Sequence, residues 1–92
     1  MKNLTLFYLE TCPYCVNARR ALQELTEENP VYAQVEIDWI EESRQPALAD
    51  SFDYYYVPSV FCEGRKLYEA RPRESFADCK EHLRACLDTA LD

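Results

Sequence analysis

The sequence predicts an α/β fold of order βαβαββα, in which a four-stranded mixed sheet is flanked by helices and the whole chain, 1–92, is a single domain. Three observations predict it. Apolar runs bounded by turn residues alternate with segments of helical period. Two short apolar runs, 59–62 and 66–69, are separated only by Glu63-Gly64-Arg65. The chain then closes on an amphipathic stretch that starts at Ser75.

Taken in order, Leu4 to Leu9 is an apolar run that reads as the first strand, ended by Glu10. The first helix is placed from Pro13 to Glu27. Proline suits a first helical position, where its missing N–H is no loss, and Asn29-Pro30 stops the helix because the residue before a proline is pushed out of helical angles. Val31 to Asp38 sets Val31, Ala33, Val35 and Ile37 against Tyr32, Gln34, Glu36 and Asp38, a period of two that predicts a second strand. Trp39 is read as packing at the end of that strand. Pro46, Ala47, Leu48 and Phe52 suggest a short helix. Ser59–Cys62 and Lys66–Glu69 read as a hairpin whose connection holds Gly64, the only glycine in the chain. From Ser75 onward, Phe76, Cys79, Leu83, Cys86, Leu87 and Ala90 fall on one helical face. A parallel βαβ unit, then a hairpin and a closing helix, gives a mixed sheet with helices on both faces.

Ninety-two residues make one small domain, able to bury roughly 60–65% of its unfolded surface. Ten basic against seventeen acidic residues leave a net charge of -7. That balance argues against a nucleic-acid or anionic-membrane partner. The first apolar run is too short for a signal-peptide core or a membrane span, so a cytoplasmic protein is expected. Five cysteines without dense framework spacing do not suggest a secreted disulfide scaffold. Cys62 and Cys86 are read as buried small apolar residues.

The chemistry is concentrated in Cys12-Pro13-Tyr14-Cys15. With Cys12 as helix cap, its sulfur meets unpaired backbone N–H groups and the positive end of the helix dipole, which favour a thiolate. Cys15 shares a stripe with Ala18, Leu22 and Leu25 and is expected to face inward, whereas Cys12 faces solvent. One accessible anionic sulfur beside one sheltered thiol is what dithiol exchange requires. Arg19 and Arg20 lie more than a turn further on and read as surface arginines. A second arrangement is formally possible, because Cys12, Cys15, Cys79 and His82 spell a zinc set of three cysteines and one histidine. Against it, Cys79 lies on the apolar stripe of the last helix.

The element order, with Cys12-Pro13-Tyr14-Cys15 after the first strand and Val57-Pro58-Ser59-Val60-Phe61 at the third, resembles glutaredoxins within the thioredoxin fold. The likeness spans essentially the whole chain. It implies a thioredoxin-like fold, a thiol-disulfide oxidoreductase activity with Cys12 as nucleophile and Cys15 as resolving thiol, and a cis-proline at Pro58. It further implies a substrate or glutathione groove involving Thr11, Pro13, Tyr14, Tyr56, Val57, Pro58 and Arg71. Val57 would pair through its backbone with a bound peptide or with glutathione. No tightly bound cofactor and no resident metal are implied, and glutathione is the expected reductant. Disulfide-containing proteins are the expected partners of a monomer.

The departures from the family are as specific as the matches. Leu9 stands where many glutaredoxins have a lysine, and Tyr56 replaces the threonine of their Thr-Val-Pro segment. Tyr68-Glu69-Ala70-Arg71-Pro72 replaces a Gly-Gly pair and the acidic residues that hold the γ-glutamyl end of glutathione. Without glycines the backbone approaches a ligand less closely. Arg71 and Arg73 are alternative carboxylate receivers. The altered segment also admits thioredoxin reductase, rather than glutathione, as the electron donor. A glutathione-ligated iron–sulfur cluster, known for some relatives, would use Cys12 alone, and Pro13 counts against it. Tyr54-Tyr55-Tyr56 has two readings, an aromatic substrate platform or packing around a loop.

Overall fold

The computed structural model describes residues 1–92. Strand β1 (Leu4–Tyr8) buries Leu4 and Leu6 on one face and Phe7 on the other, so it must be covered on both sides. It accordingly lies inside a four-stranded sheet of order β2-β1-β3-β4. β2 (Ile37–Glu41) runs parallel to β1, β3 (Ser59–Cys62) runs antiparallel to it, and β4 (Arg65–Glu69) is antiparallel to β3. Leu6 faces Trp39 on one side and Val60 on the other. Glu63 and Gly64 join β3 to β4 with φ of 51° and 81°. A two-residue hairpin loop with positive φ at both positions matches the twist of the flanking strands.

Helix α1 (Pro13–Glu28) buries Cys15, Ala18, Ala21, Leu22 and Leu25, and helix α3 (Phe76–Leu91) buries Cys79, Leu83, Cys86, Leu87 and Ala90. The two stripes meet over the Leu4 and Leu6 face of the sheet in one core. Ser75 caps α3, its Oγ accepting from the Asp78 N–H at 3.1 Å. Lys80 of α3 reaches across to Glu24 at 3.0 Å and to Glu28, joining the two helices at their solvent margin. The opposite face carries a separate aromatic cluster. Phe7 stacks on Tyr54 at 4.8 Å, and Phe52, just beyond the short helix α2 (Pro46–Asp50), meets Phe61 edge-on at 4.9 Å. Helices α1 and α3 on one face and the α2 segment on the other give the α/β/α layering that the sequence predicts.

The second strand departs from expectation. Val31–Asp38 is not a strand: Pro30–Gln34 is a 3₁₀ helix and β2 begins only at Ile37. Asn29 decides the local outcome, because its Oδ1 accepts from the Val31 N–H at 3.2 Å and caps the turn that Pro30 opens. Of the apolar set only Val35 is buried, joined by Tyr32 from the opposite set, and Tyr32 Oη donates to Asp88 at 2.7 Å. Trp39 consequently lies mid-strand, with Tyr8 edge-on and the Arg19 guanidinium 4.9 Å from its ring. Arg20 likewise covers Phe76 at 3.9 Å. No helix is long and apolar enough to cross a membrane.

Leu83 of α3 is buried in this core. Leu83→Ala is expected to destabilise the protein by about 3 kcal/mol, through lost transfer energy and the cavity left behind. Val16→Ala, on the exposed face of α1, is expected to change stability by less than about 0.5 kcal/mol. Urea unfolding of both variants measures the contrast.

Candidate active site

The site lies where β1 ends and α1 begins. Cys12 caps α1 in an extended conformation, φ -81° and ψ 123°, with Pro13 as the first helical residue. Its carbonyl accepts from the N–H groups of Cys15 at 3.0 Å and Val16 at 3.1 Å, which starts the helical ladder. Its sulfur, by contrast, makes no capping bond to the first turn. Sγ of Cys12 is half-buried and instead donates toward the Val57 carbonyl at 3.8 Å. Helix geometry thus places the thiol at the open end of the dipole while leaving it one partner from a distant part of the chain.

Cys15 lies one turn deeper and is only 5% exposed. Its Sγ accepts from the Leu9 N–H at 3.4 Å. Burial pushes the Cys15 thiol up to about 12, opposed by the Leu9 N–H and reinforced by the adjoining Cys12 thiol and the charge of Glu42. Both thiols are free. Cys15 is therefore a protonated thiol at neutral pH, held beside the more accessible Cys12 sulfur.

Two further segments wall the site. The Val57–Pro58 peptide bond is cis, as the resemblance implies, and Pro58 is buried next to the half-buried Val57. Oγ of buried Ser59 donates to the Tyr56 carbonyl at 2.5 Å, and Glu69 Oε2 accepts from the N–H groups of Tyr55 and Tyr56, each at 2.8 Å. After β4, the Ala70 N–H donates to the Pro58 carbonyl at 2.9 Å. Three residues later the Arg73 N–H donates to Tyr14 Oη at 2.7 Å. Residues 70–73 therefore strap the proline turn to the active-site helix, with Arg71, Pro72 and Arg73 exposed. Arg71 also lines a groove of about 430 Å³ with Tyr56, Lys66, Leu67, Tyr68 and Glu69.

Most residues singled out in the sequence converge here. Cys12, Cys15, Tyr14, Val57, Pro58 and Arg71 surround the two sulfurs or the strap beside them, and Thr11 and Pro13 are exposed at the entry to α1. The tyrosine triplet divides between its two readings. Tyr54 packs on Phe7 and donates to Glu42 at 2.7 Å, whereas Tyr55 and Tyr56 are 83% and 44% exposed and meet edge-on. Cys12, Cys15, Cys79 and His82 do not come together as a ligand group. His82 instead stacks on Tyr68 and bonds Glu74, which also accepts from Tyr68 Oη. Cys62, Cys79 and Cys86 are buried, and burial raises the thiols of Cys79 and Cys86.

Two residues that build the site escaped sequence reasoning. Glu69 pins the tyrosine pair. Glu41, buried at the end of β2, accepts from the Glu10 N–H at 3.3 Å and from the Ser43 N–H at 2.7 Å, fixing the loop before Cys12. The Ser43 hydroxyl and these N–H groups hold the Glu41 carboxyl below its ordinary range. Neither glutamate stands in a local pattern that distinguishes it from the chain's other acidic residues.

Comparison with known proteins agrees with this geometry. A malarial protein of solved structure superposes with a TM-score of 0.65 at 15% identity, covering 100% of this chain and 99% of its own. A mutant thioredoxin of Halobacterium salinarum also reaches 0.65, at 18% identity, with 99% of this chain and 75% of that one covered. Thioredoxin 1 of Thermosipho africanus gives 0.60 at 13% identity over 98% and 99% of the two chains. These likenesses establish a thioredoxin-like fold. No curated protein matches the chain. The glutaredoxin family profile matches residues 4–67, ending just before the divergent Tyr68-Glu69-Ala70-Arg71-Pro72 segment. With the Cys12 and Cys15 pair, the cis-proline turn and most of its length inside that match, the chain belongs to the glutaredoxin family.

Proposed function

We propose that this protein is a dithiol oxidoreductase that reduces protein disulfides or glutathione mixed disulfides. The observation that carries the reading is the pairing of a half-buried Cys12 sulfur, at the α1 terminus and 3.8 Å from the Val57 carbonyl, with a buried Cys15 one turn below. In the first step the Cys12 thiolate attacks one sulfur of a substrate disulfide. A new sulfur–sulfur bond forms, the substrate bond breaks, and one substrate thiolate leaves to take up a proton. Cys15 then gives up its proton and attacks Cys12 Sγ, releasing the second substrate thiol and closing a Cys12–Cys15 disulfide. Two electrons pass from the dithiol to the substrate. The Leu9 N–H, 3.4 Å from Cys15 Sγ, stabilises the anion that develops there.

Glutathione is the reductant that this reading assigns for reopening the disulfide, with Thr11, Pro13, Tyr14, Tyr56, Val57 and Pro58 as the groove and Arg71 receiving a carboxylate. A specific observation favours a second donor, thioredoxin reductase. The segment that replaces the family's γ-glutamyl site is filled by its own contacts, with Tyr68 buried against Glu74 and Glu69 engaged by Lys66 and the tyrosine amides. Comparing turnover with glutathione and its reductase against turnover with thioredoxin reductase separates the two donors.

Cys12→Ser is expected to abolish reduction of a model disulfide. Cys15→Ser is expected to retain only turnover that proceeds through a glutathione mixed disulfide. A Cys12→Ser protein that still reduces the disulfide removes Cys12 as nucleophile. Protonation of Cys15 supplies an independent check. In the reduced fold its thiol stays neutral up to about 12, whereas the unfolded chain ionises it near the ordinary 9.0. Between those values the unfolded chain binds fewer protons, so stability falls as pH rises through this window. The oxidised form has no Cys15 thiol. Between about pH 8 and about pH 10.5, thermal unfolding is expected to show a larger drop in midpoint for the reduced than for the oxidised protein.

A further inference from the structure

Residues 51–58, between α2 and β3, contain no helix or strand, yet this stretch presents the Val57 carbonyl to Cys12. Its shape is set by side chains. Glu69 Oε2 takes the consecutive N–H groups of Tyr55 and Tyr56 at 2.8 Å each, and Oε1 takes Lys66 Nζ at 2.7 Å. Consecutive backbone N–H groups form a concave seat for an anion. Here the seat is filled from within the chain, by a residue in register with Ser59 across the β3–β4 ladder. Ser59 Oγ fixes the Tyr56 carbonyl and the Ala70 N–H fixes the Pro58 carbonyl. Between these clamps the Val57 N–H is left without a partner inside the chain, while its carbonyl faces Cys12 Sγ.

We propose that Glu69 is a positioning residue whose carboxylate pre-forms the Tyr55–Pro58 turn, so that a peptide disulfide pairs with the Val57 backbone without first having to order it. This inference rests on the exchange reaction proposed above and concerns the peptide disulfides among its substrates. Two features make Glu69 suited to the task. Its side chain is only 20% exposed, so solvent competes weakly for the carboxylate. The Lys66 hydrogen bond, followed by the two tyrosine N–H groups, holds it down to about 2, so it remains an acceptor wherever thiol exchange runs. Removing it frees two N–H groups and the entry to the turn. The ordering then falls on the binding step, which raises KM. A small disulfide that lacks peptide groups meets the turn only through the weak Cys12 Sγ contact to the Val57 carbonyl and depends on it far less.

The test follows the oxidative half-reaction of pre-reduced protein with no glutathione present, its half-saturating concentration read as KM and its maximal rate as kcat, for a short peptide disulfide and for hydroxyethyl disulfide in four proteins: wild type, Glu69→Gln, Glu69→Ala and Glu69→Asp. Glutamine still offers an oxygen to both N–H groups, whereas aspartate keeps the charge but falls one methylene short. For the peptide disulfide, Glu69→Ala and Glu69→Asp are expected to raise KM about tenfold or more, with kcat within about twofold, as the loss of charge-assisted hydrogen bonds implies. Glu69→Gln is expected to stay within about threefold of wild type. Hydroxyethyl disulfide is expected to oxidise all four pre-reduced proteins within about twofold of the wild-type rate. Amide exchange at Tyr55 and Tyr56 is expected to be slow in wild type and Glu69→Gln and fast in the other two. Equal losses on both substrates, or no change on the peptide disulfide, overturn the assignment. A wild-type protein inactive on both substrates overturns the exchange reading and this inference with it.

Discussion

The backbone of Leu9 bonds to both thiol-bearing residues. Its carbonyl accepts from the Cys12 N–H at 3.2 Å and its N–H donates to Cys15 Sγ at 3.4 Å. Because Leu9 directly follows β1, one of the two interior strands of the sheet, the two cysteines are fixed relative to an element that buries Leu4, Leu6 and Phe7. The helix can start nowhere else, since Pro13 has no N–H to offer further upstream and the Cys12 carbonyl already serves Cys15 and Val16. One thiol is thereby left at a helix terminus and the other is drawn beneath it.

Around that junction, chemistry depends on segments far apart in sequence meeting with little slack. The proline turn is held by Ser59, Glu69 and Ala70, and the strap after β4 returns to Tyr14 through Arg73, whose φ of 67° is uncommon for a residue with a side chain. The loop before Cys12 is held by Glu41. Glutamates thus do structural work on two sides of the thiols, and each is satisfied by N–H and hydroxyl donors rather than left as a free charge. Arg19 and Arg20 are similarly engaged, lying over aromatic rings instead of facing the sulfurs. In a chain of net charge -7, Arg71 and Arg73 are cations without an ion-pair partner at this end of the sheet.

Features governed by neighbours in sequence were legible in it. α1, the hairpin and α3 follow from proline placement, a lone glycine and a helical stripe, and the structure reproduces them within one residue at most termini. The placement of Cys12 and Cys15 followed for the same reason. The second strand did not, because the alternation at Val31–Asp38 competes with a stronger local signal, the Asn29 cap followed by Pro30. The true β2 gives little warning, since Ile37–Glu41 buries only Glu41 fully and lacks an alternating face. Glu69 and Glu41 were illegible for another reason. Their partners are created by strand pairing and loop closure, and no spacing of residue types encodes a carboxylate meeting an amide elsewhere in the chain.

The sheet ends laterally in β2 and β4, and both borders are charged. Asp38 lies along one, and Arg65, Lys66 and Glu69 along the other. Charged residues on an outer strand discourage a neighbouring molecule from adding its own strand there. On the exchange reading proposed above, in which Cys12 meets disulfides of other molecules, such borders disfavour the addition of strands from further copies of the chain into cross-β fibrils.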